Sequence, residues 1–180
     1  MMYKIAATCR YICCLFFFGL GLGNTALAFE SVDSITGVGG KSWGSEPLPS
    51  FRCQSLTSRL SQCIEPSETT QHLIFQGIES HQTGYVFFDN QLLTVVLNIL
   101  GDDSALHAIQ NLDRTYGRHE VEGNTRGWPG SSVLMSLLQG DGAADGRLGT
   151  PSSNVWQLTI SSSRRQAELE HHLRASGLGG

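Results

Sequence analysis

Apolar and polar positions along this chain of 180 residues change period several times, and each change predicts an element. Over residues 91–99, Leu93, Val95, Leu97 and Ile99 fall at alternate positions with Thr94 and Asn98 among those between them, the period of a strand with one buried face. Residues 85–88 form a second strand, and Asp89-Asn90 between the two is a polar pair of the kind that turns a tight hairpin. Residues 72–80 (HLIFQGIES) read as one further strand ahead of the polar break at residues 81–84. After Asp102 and Asp103, either of which can cap a helix, Leu106, Ile109, Leu112 and Tyr116 recur at three- and four-residue spacing until Gly117. That pattern predicts a helix over 103–116, stopped by a glycine.

The later part is less regular. Residues 120–128 read as a weak strand and turn, and 131–139 (SSVLMSLLQ) are short and apolar enough for either strand or helix. Residues 140–153 form a Gly/Asp/Ser loop. Residues 154–161 form a strand with Trp156, Leu158 and Ile160 on one face and Val155, Gln157 and Thr159 on the other. A polar helix closes the chain over 163–176, with Ser163 and Gln166 as a capping box and Gly177 as its stop. The fold expected is α+β: an antiparallel sheet with the 103–116 helix packed on one face.

Residues 1–28 follow a different logic. Lys4 and Arg10 precede an uncharged, mostly apolar run over residues 12–22, and Ala26 and Ala28 supply an A-x-A cleavage site. The run is shorter than the ~20 residues that cross a bilayer, so it reads as an export signal cleaved after Ala28, leaving no stable membrane span. The expected organisation is a signal peptide (1–28), an extended Gly/Pro-rich lead-in (29–50) and a single domain (51–180). The location expected is periplasmic or secreted.

Cleavage changes the charge and cysteine content. Without Lys4 and Arg10 the chain keeps 10 basic against 16 acidic residues, and Lys41 is its one lysine. Such a chain lacks the basic footprint that nucleic acid requires. Cys9, Cys13 and Cys14 leave with the signal, so Cys53 and Cys63 remain to pair in an oxidising compartment. Residues 54–62 can also be read as helical, but a straight helix would hold the two Cα atoms ~15 Å apart, against the 4.4–6.8 Å usual for a bridge. A bridge therefore requires a closed loop or a broken helix.

Taken together, Ile35-Thr36-Gly37-Val38, the cysteine pair, the hairpin VFFDNQLLTVVLNI, the Tyr116-Gly117 helix end and Trp156 in a late strand resemble small exported bacterial proteins of uncharacterised function. The resemblance spans residues 35–160, with Arg118 where a proline often follows the Tyr-Gly pair. It implies an α+β fold and export, and it brings no catalytic residues.

Candidate chemistry is sparse. Asp141, Asp145, Gly146 and Leu148 fit part of a calcium-loop register, but Ala143 and Ser152 stand where further oxygen ligands belong. Of the histidines 72, 81, 107, 119, 171 and 172, none makes an H-E-x-x-H pair; Glu168 and His172 share a helical i,i+4 spacing that suits either a metal or a solvated surface pair. Glu120 and Glu122 would share one face of a strand, where paired carboxylates can hydrolyse a bond or can discourage aggregation. Ser131 and Ser132 lack an identifiable base, and the glycines at 37, 39 and 40 lack phosphate-loop spacing. Trp43 and Trp128 beside glycines can anchor a ligand or pack over the sheet. The reading this leaves is a non-enzymatic exported binding or assembly module for an unknown protein or envelope component, without cofactor or metal; the alternative is a small exported hydrolase.

Overall fold

The computed structural model describes residues 29–66, 72–140 and 154–177. The signal segment and the Asp141–Asp145 loop therefore lie outside the described residues. In chain order the strands are β1 (Gly37–Val38), β2 (Lys41–Ser42), β3 (Arg52–Ser55), β4 (Leu60–Ile64), β5 (His72–Phe75), β6 (Ile78–Ser80), β7 (Gln82–Phe88) and β8 (Gln91–Leu100). Helix α1 (Asp102–Tyr116) leads to β9 (Glu120–Glu122), β10 (Thr125–Trp128), β11 (Val133–Gln139) and β12 (Val155–Ser162), and α2 (Gln166–Ala175) follows.

Eight strands form one antiparallel sheet in the order β3-β4-β7-β8-β12-β11-β10-β9. The β3-β4 and β7-β8 hairpins make one half, and the meander from β9 to β12 makes the other. The halves meet where β12 lies along β8, with Leu158 opposite Leu97 and Ile160 opposite Val95. This is the α+β fold expected, with α1 packed against the sheet. Among the described residues no helix is long and apolar enough to cross a membrane.

One face holds the main core. Tyr85, Phe87, Val95, Leu97, Ile99, Leu137, Leu158 and Ile160 are buried there against Ala105, Ala108 and Leu112 of α1. Burying each large side chain contributes roughly 1.5–3 kcal/mol. Leu106, read from spacing as a core position, is 53% exposed instead. The stripe facing the sheet begins at Ala105, because the small alanines let the helix approach closely. The helix starts one residue earlier than expected, and Gly101 occupies the N-cap with no side-chain cap bond. Asp102 instead accepts from the indole of Trp156 at 2.8 Å.

Three further readings change. Leu93 does not share a face with Val95, because Val86 pairs with Thr94 while Phe87 pairs with Leu92, leaving Leu93 as the extra residue of a bulge. It joins Leu60, Phe88 and Leu169 of α2 on the opposite face. Residues 72–80 are a hairpin and not one strand: Gln76 and Gly77 turn with positive φ of 48° and 72°. The C-terminal helix opens with a short 3₁₀ turn at Ser163–Arg165, where Ser162 accepts from the Arg164 N–H in place of a Ser163–Gln166 capping box.

The Asp89-Asn90 turn is as expected, with both residues at positive φ (51° and 65°), as a tight antiparallel hairpin requires. Residues 131–139 resolve as the strand β11. The lead-in is not separate from the domain, since Val32, Ile35 and Val38 are buried in the main core.

Candidate functional site

The cysteine pair shows how local pairing decides a site. Residues 54–62 form neither a helix nor an irregular loop; they belong to a hairpin in which Cys53 lies directly opposite Cys63. The two are disulfide-bonded, with Cα atoms 4.0 Å apart. The Leu56 N–H bonds to the Leu60 carbonyl, and by strand alternation this places Cys53 and Cys63 at a non-hydrogen-bonded pair, where opposite residues come closest. Cys63 is buried in the core, and Cys53, on the same face but on the edge strand, is exposed. The bridge fastens the β3 edge to the sheet.

Both candidate tryptophans are packing residues. Trp128 is 1% exposed, and its indole N–H lies 3.1 Å from both the Asp113 carboxylate and the Gly117 carbonyl. Trp43 is half-buried against the core and donates to the Ile35 carbonyl at 2.7 Å. Trp128 is thus packed inside the fold, while Trp43 keeps part of its surface exposed.

Around Trp128 the structure assembles a group that the sequence did not reveal. Asp113, near the end of α1, accepts from the backbone N–H of His119 at 3.0 Å and faces His119 Nδ1 at 2.9 Å. With the carboxylate as acceptor, Nδ1 carries a hydrogen. His119 also packs at a tilt against Trp128, ring centroids 5.4 Å apart. An Asp–His pair can act as a base, but among the described residues no nucleophile is hydrogen-bonded to it. Its visible work is to hold the chain as it leaves α1.

The other charged clusters also join segments. Asp89 accepts a bidentate pair from Arg59 and a bond from Arg165, and Arg165 in turn bonds Glu168. The Arg59 bonds, then those of Arg165, hold the Asp89 carboxyl well below the usual range. Both guanidiniums lie over the Phe88 ring, at 4.5 and 5.0 Å. Glu168 and His172 do not converge as a metal pair, because Glu168 faces the arginines while His172 Nε2 sits 2.6 Å from the Thr57 hydroxyl. Lys41 Nζ lies 5.4 and 5.0 Å from the centroids of the mutually stacked Phe51 and Tyr85 rings and bonds Glu65 at 3.1 Å. Burial pushes the Tyr85 hydroxyl up, above the ordinary tyrosine value.

Asp33 reaches a segment 98 to 100 positions further along the chain. Its carboxylate accepts from the Ser131 hydroxyl and from the backbone N–H groups of Ser131, Ser132 and Val133. The hydroxyl bond, followed by the N–H bonds, holds its carboxyl well below the ordinary range. Gly130 makes room for it, since a Cβ there would lie 2.5 Å from Asp33 Oδ1. Ser131 is thus a ligand of this clasp. Among the described residues no three His, Cys, Asp or Glu side chains gather in metal-binding geometry.

Among the described residues, exposed groups gather on the sheet's second face and along its edges, although Val96 and Gln157 on that face are buried. On the second face, α2 covers Leu60, Phe88 and Leu93, and beyond its contacts lie Thr94 bonded to Ser161 and Asn98 bonded to Gln157. Leu134 and Leu100 on that face are 42% and 45% exposed. Among the described residues, the edges of the sheet are β3 and β9. Glu120 and Glu122 do share a face, on the edge strand β9, opposite Gly127 and Thr125. The comparisons add no relative: no family model, no curated protein and no solved structure matches the chain.

Proposed function

We propose that this chain is an exported, periplasmic or secreted, non-enzymatic module that binds or helps assemble a protein of the cell envelope. The observation that carries the reading is the pair of exposed leucines on the sheet's second face. There Leu134 and Leu100 stand among hydroxyl and amide groups already bonded to one another. A mixed surface of this kind, apolar spots in a polar field held on a rigid sheet, suits a non-obligate protein interface. The charged clusters support the same reading, because they join segments of the fold. The Cys53–Cys63 bridge fits an oxidising compartment, and the resemblance to small exported bacterial proteins points the same way.

The test is paired capture from an envelope extract with the wild-type chain and with Leu134→Asp. Position 134 is exposed, so the variant should fold. A protein partner held by the wild type and lost from Leu134→Asp supports the reading. Turnover of a hydrolase substrate that Glu122→Gln abolishes overturns it.

A further inference from the structure

The two edges of the large sheet match each other. Eight mutually antiparallel strands place β3 at one edge and β9 at the other, running in opposite directions. A second copy that continues the sheet beyond β9 therefore presents its own β3 antiparallel to β9, with corresponding faces on the same side. Directly opposed residues lead from Arg52 through Val96 and Thr159 to Glu120, so Arg52 and the two glutamates lie on one face.

The backbone agrees with this. Glu122 opposes Thr125 across a two-residue turn, so Glu122 and Glu120 direct their peptide groups toward β10 and Val121 directs its N–H and C=O outward. On β3 the Leu56–Leu60 bond sets the same alternation, and Cys53 directs its N–H and C=O outward. Val121 is also the most exposed large apolar side chain among the described residues, at 66%.

We infer that copies of this chain associate head to tail, the β9 edge of one adding to the β3 edge of the next. Val121 exchanges backbone hydrogen bonds with Cys53 of the second copy, and its side chain covers the exposed end of that copy's disulfide. On the other face Glu122 meets Arg52 and Glu120 meets Gln54. Pairing β9 with itself about a two-fold axis at Val121 would instead set Glu120 against Glu122 twice, which like charges disfavour. A heterologous contact of this kind is not used up at the dimer, so it continues past two copies into rings or open chains. Strands this short bury less than the ~1,000 Å² of a stable complex, so the association is weak and appears at high local concentration.

This deepens the assembly side of the proposed function and rests on it. The experiment is sedimentation of the exported chain over a wide concentration range. The average mass should rise continuously past the dimer. Arg52→Glu and Glu122→Arg should each lower the association constant roughly three- to tenfold, and the two combined in one chain should restore it. Val121→Pro removes the outward N–H without deleting a bond to β10 and should abolish association, while circular dichroism shows the fold retained. If that variant does not fold, the charge reversals still decide. A monomer at all concentrations, a plateau at dimer, or failure of the double reversal to restore association overturns the inference. A chain that stays monomeric yet still captures an envelope partner through Leu134 overturns edge pairing alone and leaves the binding reading standing.

Discussion

Asp33 Oδ1 and the backbone N–H of Val133 are 3.0 Å apart across 100 positions of the chain. The bond belongs to a clasp in which one carboxylate holds the start of β11 against the N-terminal segment. A carboxylate meeting several N–H donors is favoured as the anion, which is why its protonation is resisted.

The first prediction follows from that clasp and from Asp89. Both carboxyls are held below their ordinary value of 3.8, so the stability they add is complete above that value and is lost as pH falls below it. Thermal melts from neutral pH down through the acid range should show a falling midpoint, and Asp33→Asn should flatten part of that fall. An Asp33→Asn melt with the same pH dependence as wild type contradicts the assignment.

A second prediction concerns the bridge. Replacing Cys53 and Cys63 with serine should lower stability by about 2–4 kcal/mol, measured by denaturant unfolding, without preventing folding in the cold. Non-reducing mass spectrometry should show two hydrogens fewer than the reduced chain.

Leu93 supplies the third. Because the bulge turns it to the face of α2, Leu93→Ala should cost about 2–5 kcal/mol and should release α2 first. Limited proteolysis should then cut near residue 165 before it reaches α1. Cleavage within α1 as the first event would show that Leu93 supports the other face.

Fourth, Trp128→Phe should cost about 1–3 kcal/mol, because it leaves the Gly117 carbonyl without its indole partner and loosens the turn held by Asp113. The readout is chemical denaturation together with the His119 ring signals in NMR, which should shift as the ring loses its packing partner. Unchanged ring signals would show that His119 is held by Asp113 alone.

Features set by neighbours in sequence were legible before folding was considered. The Asp89-Asn90 turn, the alternation through Trp156 and Ile160 and the Gly117 helix stop each depend on a few adjacent residues. What was not legible depends on partners far along the chain. Nothing near Leu93 announces the bulge, which arises from how β7 and β8 align. Leu106 outranks Ala105 on hydrophobicity alone, and only the closeness of the sheet reverses that order. The candidate site divides in the same way. Cys53–Cys63 could be paired by elimination, and Glu120 with Glu122 by alternation. Asp33 with Ser131 and Arg52 with Glu122 acquire meaning only once the strand order is known.

Strand β12 is the last of the large sheet to be made, yet it occupies the centre, beside β8. Until residues 155–162 exist, the first half of the sheet ends in a bare strand whose Val95, Leu97 and Ile99 have no neighbour on that side. An unpaired apolar edge is a template for the wrong strand, whether from the same chain or from another. A chain that folds from its N-terminus therefore leaves this edge bare until β12 pairs with it, and that closing step is a long-range pairing that local helix or hairpin formation cannot hasten. Chains cut short before residue 155 should accumulate as insoluble material, and a chaperone that shields β8 should matter more to the yield of this protein than any stabilisation of α1.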